Sequence, residues 1–190
     1  EIFLSMDKSL PLSFLASGNV SKDNLNVNFN DVFIDSSFFA KFVQFPEFGL
    51  SKGVLQGSFI LSGIIQDPEF IGTLTAQNFE FVCPAYVQEK VYADKIIVKA
   101  DKNVIYFDNT IFNTIDTPRV IVGSVKLTLD RWKFDNLKIK INSLENKFVK
   151  AKTVIDFMEF AGNAQANLLI DLFTNSVVVK GSIFAENVDG

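Results

Sequence analysis

Apolar and polar residues alternate with a period of two along most of the chain. Leu137-Lys138-Ile139-Lys140-Ile141-Asn142 is a clean run, as are Leu25-Asn26-Val27-Asn28-Phe29-Asn30 and Ala164-Gln165-Ala166-Asn167-Leu168. Alternation at 180° per residue marks a strand with one face toward an apolar environment and one toward water. Asp23-Asn24, Asp101-Lys102-Asn103, Asp108-Asn109 and Thr174-Asn175-Ser176 read as the turns between such runs. At roughly 8–12 residues per strand, the chain predicts about fifteen strands.

The alternation assigns faces. Leu55, Phe59 and Leu61 share a side opposite Gln56, Ser58 and Ser62. Ile121, Val125, Leu127 and Leu129 share a side with Gly123, opposite Ser124, Lys126 and Thr128. Ile96 and Val98 face away from Lys95 and Lys99, and Ile105 and Phe107 away from Tyr106 and Asp108. Leu74, Leu137, Ile139, Ile141, Leu168, Ile170 and Ile183 complete the candidate apolar face. No strong helical segment is available to cover it. Two outcomes fit: two sheets closing on a dry core, or one long sheet curling into a trough. A wet apolar trough costs roughly 25 cal/mol per Å². A lipid acyl chain relieves that cost at about 0.8 kcal/mol per methylene.

One stretch departs from the period of two. Phe38, Phe39 and Phe42 sit at i, i+1 and i+4, which predicts a short helix near residues 36–45. Asp35 or Ser36 is its candidate N-cap, and Pro46 with Gly49 ends it. A plug at one end of the β structure is the expectation, because so short a helix needs tertiary support.

The chain also repeats itself. Gly72-Thr73-Leu74-Thr75-Ala76-Gln77-Asn78-Phe79 aligns without gaps to Gly181-Ser182-Ile183-Phe184-Ala185-Glu186-Asn187-Val188, an offset of 109. The same offset sets Gln56, Phe59 and Leu61 on Gln165, Leu168 and Ile170, giving copies around 53–80 and 162–189. A weaker echo at an offset of 112 pairs Asp23–Val27 with Asp135–Ile139. Repeated strands predict an extended, additive architecture.

Composition narrows the function. Phenylalanine numbers 21, against three tyrosines and one tryptophan, so the aromatic area carries few polar handles. The net charge is −4 and only Arg119 and Arg131 are arginines, which argues against a nucleic-acid surface. There is no histidine, so Ser–His and Cys–His relays and imidazole metal ligands are excluded. One cysteine, Cys83, excludes an internal disulfide framework. No apolar run exceeds four residues, so nothing here predicts a membrane-spanning helix. A chain opening on Glu1 and closing on Gly190 reads as a piece of a longer protein.

Gly53-Val54-Leu55-Gln56-Gly57-Ser58-Phe59-Ile60-Leu61-Ser62-Gly63, followed by Ile64-Ile65-Gln66-Asp67-Pro68 and Gly72-Thr73-Leu74, resembles a recurring signature of the TamB and AsmA-like family. Ile34-Asp35 before it, and Pro84 and the strand pair ending at Gly123 after it, fit the same pattern. In the second copy Gly57, Gly63 and Pro68 are replaced by Ala166, Leu172 and Val177, which leaves that module's boundary open. The resemblance implies a fold and a setting. The fold is all-β, a long, curved, mostly antiparallel sheet forming a U-shaped trough with an apolar interior. The setting is the periplasm of a diderm bacterium, within a protein anchored in the inner membrane. The implied activity is non-catalytic carriage of phospholipid acyl chains between the membranes, in support of outer-membrane biogenesis. An Omp85-type outer-membrane protein is the implied partner, and no cofactor is implied. The alternative is a scaffold that pairs a partner strand along its sheet edge.

Glycine within a strand marks a bend or a close approach, and a sheet that curls needs bends. Gly57, between Leu55 and Phe59, is the best candidate for curvature; Gly63, Gly72 and Gly123 are the others. Gly63 and Gly72 flank Gln66-Asp67-Pro68 and fit a turn equally well. Other constellations read as ordinary surface or interior. Asp67 and Glu69 sit in a predicted turn, and Asp130-Arg131 and Asp135 near Trp132 read as a turn with one aromatic lid in preference to a polar patch. Cys83 lacks a histidine to activate it and reads as a small buried residue. Lys138, Lys140, Lys147, Lys150 and Lys152 read as a solvated face that could touch lipid head groups.

Overall fold

The computed structural model describes residues 2–5, 11–35, 49–82, 87, 89–131, 133–144, 147–155 and 158–189. The candidate helix at 36–45, Cys83, Pro84 and Trp132 lie outside the described residues. The described chain is all-β. Its strands are β1 (Ile2–Ser5), β2 (Leu12–Val20), β3 (Asn24–Asp35), β4 (Gly49–Ile64), β5 (Asp67–Val82) and β6 (Val91–Lys102). They continue as β7 (Val104–Thr114), β8 (Ile121–Asp130), β9 (Lys133–Ser143), β10 (Val149–Ile155), β11 (Met158–Phe173) and β12 (Ser176–Asp189). Twelve described strands replace the fifteen expected, because β4, β5 and β11 each run to 16 residues.

All twelve belong to one sheet, and the neighbours pair antiparallel. From β1 to β9 the order is a simple meander. Strands β9 and β10 lie in line along one edge of β11, against 167–173 and 158–164, while β12 takes the other edge. The sheet is therefore eleven strands wide. Among the described residues β1 pairs only with β2 and β12 only with β11, so the sheet is not closed.

Tight turns hold the meander in register. Ile65-Gln66 and Thr174-Asn175 are two-residue connections, and Lys102, at φ +57, opens the equivalent turn into β7. Positive φ at the first position matches the turn to the right-handed twist of the strands. At the β2–β3 turn, the Asn24 amide donates to Ser21 Oγ and the Ser21 amide to the Asn24 carbonyl. Asp67 and Pro68, expected in a turn, instead open β5, where Pro68 pairs with Gly63.

Asp108-Asn109, expected as a turn, lies inside β7 as a bulge, with Asn109 at φ +48. It is one of a series. Asn30-Asp31 in β3, Gln77-Asn78 in β5 and Asp94-Lys95 in β6 are further exposed polar doublets, with Asp31 and Asn78 at φ near +50 and Gln77 paired with Lys95. Asparagine and aspartate tolerate this left-handed conformation better than other side-chain-bearing residues. In β3, β5 and β7 the doublet inserts one extra residue relative to a neighbouring strand, so apolar positions on both sides stay on one face. A bulge of this kind bends and twists the strand that carries it.

The packed interior sits at one end of that face. Ala76, Val91, Ala93, Ile96 and Phe112 are buried together, with Phe79, Phe81 and Val87 against them. The rings of Phe81 and Phe112 meet edge-on at 5.6 Å between centroids. Val120 is fully buried below; its amide donates to the Phe112 carbonyl, and its own carbonyl accepts from Leu144. Val87, in the β5–β6 connection, bridges to Ala151 of β10. The Lys150–Asp116 ion pair links β10 to the β7–β8 connection at the same end.

Candidate functional site: an apolar face across the sheet

Residues directly opposite each other in antiparallel strands point to the same face. The pairing therefore shows which side chains share a surface. One row of partners runs Leu4, Ala16, Phe29, Phe59, Gly72, Ala100, Ile105, Leu127, Leu137, Leu172, Val177. It crosses all eleven positions of the sheet without a polar residue. At a strand spacing of about 4.8 Å it spans about 48 Å. Parallel rows behave alike: Phe107, Val125, Ile139, Ile170 and Val179 form one, and Val32, Gly57, Leu74 and Val98 another. The opposite face contrasts. Ser58, Thr73, Lys99, Tyr106, Lys126, Lys138 and Asp171 are successive partners there.

The pairing brings the predicted lining together. Leu55, Phe59, Leu61, Leu74, Ile96, Val98, Ile105, Phe107, Ile121, Val125, Leu127 and Leu129 all fall on the apolar face, as do Leu137, Ile139, Ile141, Leu168, Ile170 and Ile183. Their burial is uneven. Ile96 is 4% exposed within the packed end, whereas Ile183, on the β12 edge, is 66% exposed. The others are half-buried. A second layer seated over this face would bury its middle strands fully, and none is present among the described residues.

The sequence reading missed part of the surface. Val27, Phe29 and Val32 of β3, Ala100 of β6 and Val177 and Val179 of β12 also belong to it. Val27 and Phe29 carried a usable signal, the alternation of residues 25–30. Ala100 carried none, since its contribution is smallness. Beside it lies an open cleft of ≈ 190 Å³, lined by Phe59, Phe70, Leu74, Val98, Ala100 and Ile105 around Gly72. This is smaller than the roughly 300–1,000 Å³ of a pocket that encloses a compact ligand. Phe29 stacks on Phe59 at 4.6 Å and 15°, forming one aromatic wall beside the cleft.

The glycines act by close approach. A Cβ on Gly57, at φ +154, would stand 2.2 Å from the Thr73 carbonyl oxygen. On Gly72 it would stand 2.5 Å from the Phe59 backbone, within the strand pairing rather than in a turn. Gly123 makes room for the Phe112 ring, which a Cβ would meet at 2.6 Å. A Cβ on Gly63 would make only ordinary contacts, the nearest with the Asp67 carbonyl oxygen at 3.7 Å, so its φ of +98 is what selects glycine.

The polar candidates do not converge on this face. Asp67 and Glu69 are exposed on the opposite side at the start of β5. Lys138 pairs with Asp171 at 3.6 Å, and Lys150 with Asp116. Among the described residues there is no group of three potential metal ligands. Comparison with protein-family models, with curated proteins and with solved structures gives no match.

Proposed function

We propose that the chain is a lipid-holding segment of a larger periplasmic protein of the TamB and AsmA-like kind, with no catalytic step. In this reading the sheet curves into a trough, and phospholipid acyl chains lie along its apolar face with head groups toward water. The observation that carries the proposal is the unbroken apolar row across eleven strands, half-buried through its middle. Sealing such a row in a core would remove it from water. Leaving it half-wet costs roughly 25 cal/mol per Å², a cost that an apolar ligand offsets. Each acyl methylene laid on the face contributes about 0.8 kcal/mol. The bulges of β3, β5 and β7 supply bends along the strands, and the cleft beside Gly72 offers a starting groove.

The test is titration of the purified protein with a fluorescent fatty acid, beside Phe59→Asp and Leu127→Asp variants. The expected result is saturable uptake by the parent chain and loss of uptake in both variants, with circular dichroism still showing a β-sheet. Unchanged uptake in folded variants would reject the groove.

A further inference from the structure

The two sequence copies form the same hairpin. Strand β4 starts and ends 109 residues before β11, and β5 starts 109 before β12. The pairing transfers residue by residue: Phe59↔Gly72 becomes Leu168↔Gly181, and Leu55↔Ala76 becomes Ala164↔Ala185. Even the irregularity transfers. Lys52↔Glu80 and Val54↔Gln77 become Ala161↔Asp189 and Asn163↔Glu186, and Asn78 and Asn187 share φ +50. The preceding strand follows, since Val27↔Leu61 becomes Ile139↔Ile170.

The copies differ in one respect. The outer edge of β5 is covered by β6, whereas among the described residues nothing pairs with the outer edge of β12. That edge is 14 residues long, and Val177, Val179, Ile183 and Phe184 on it are each more than half exposed. Such an edge is a template for an added strand. The covered copy shows which strand fits. Transferring the β5–β6 register sets Ile183 opposite position 98 of β6, and Gly181 opposite the small Ala100. It also sets Lys180 opposite Asp101 and Glu186 opposite Lys95, where β5 presents the uncharged Ile71 and Gln77. Opposite charges facing across a strand pair are stabilising.

We propose that the free edge of β12 is a docking site for one extended, antiparallel strand of the β6 pattern. That strand is apolar on alternate positions, small opposite Gly181, acidic opposite Lys180 and basic opposite Glu186. This goes beyond the groove reading and does not depend on bound lipid.

The probe is a synthetic peptide with the sequence of residues Val91–Lys102, added to the intact chain. Fluorescence anisotropy measures its binding. A charge-reversed peptide carrying Lys95→Glu and Asp101→Lys should bind about tenfold more weakly at low salt. Register is read by disulfide trapping on an Ile183→Cys chain in a Cys83→Ser background. A peptide with cysteine at position 98 should crosslink at least tenfold faster than one with cysteine at position 97. Absent binding to the unsubstituted chain, equal trapping of the two peptides, or a second copy of the chain occupying the edge in sedimentation would each overturn the proposal.

Discussion

Filling the cleft beside Gly72 should separate ligand binding from folding. Ala100 of β6 is half-buried on the apolar face, between Gly72 and Ile105 in the pairing. Ala100→Leu adds three carbons at the mouth of an open ≈ 190 Å³ cleft. Gly72 could not be used for this purpose, because its Cβ would meet the Phe59 backbone at 2.5 Å. At about 0.8 kcal/mol per methylene, the leucine displaces up to ~2.4 kcal/mol of contact otherwise made by an acyl chain. That corresponds to about 50-fold weaker binding. The same carbons pack against Phe59, Val98 and Ile105, so the ligand-free protein should melt at the same temperature or higher. The assay is a fatty-acid titration paired with thermal melting of the delipidated protein. Unchanged affinity in a variant of unchanged or raised melting temperature would refute the placement of ligand over Gly72 and Ala100.

Phe112→Ala should cost about 3–5 kcal/mol in urea unfolding, because Phe112 is 7% exposed within the packed end. Val179→Ala, at 58% exposed on β12, should stay within about 0.5 kcal/mol; comparable losses at the two sites would mean the face is covered throughout. Gly57→Ala should destabilise by ~1–3 kcal/mol, because its Cβ must displace the Thr73 carbonyl at 2.2 Å and accept φ +154. An unshifted urea midpoint would show that β4 and β5 separate freely there. The hydrogen bond and charge of Asp116 raise the Lys150 pKa above its usual 10.5. A raised lysine pKa stabilises the fold below 10.5, and this contribution disappears as pH climbs through the raised value. The melting temperatures of the parent chain and Lys150→Ala should therefore converge as pH climbs through and beyond the raised value, and a difference that persists once the lysine is neutral would exclude the ion pair as its cause.

The alternation made the strands and their faces legible, because a period of two survives any tertiary arrangement. Its limit was the polar doublet. Asp108-Asn109 has the composition of a turn, yet β7 runs straight through it as a bulge. The distinction rests on β8 pairing on both sides of the doublet, which local sequence does not encode. The repeat was legible as identity at Gly72 and Gly181, and its meaning as a shared register needed the pairing. The sealed end was not legible at all. Val87 meets Ala151 across 64 residues of chain, and no local pattern announces that contact. Ala100 escaped notice for a different reason: a groove is defined there by the absence of side-chain volume.

Native mass spectrometry of the protein, purified without detergent and without added lipid, addresses the central claim most directly. The account predicts species heavier than the bare chain by the mass of a phospholipid or fatty acid, lost on organic extraction and restored by reconstitution. A bare chain mass alone, unchanged after incubation with phospholipid vesicles or free fatty acid, would contradict it.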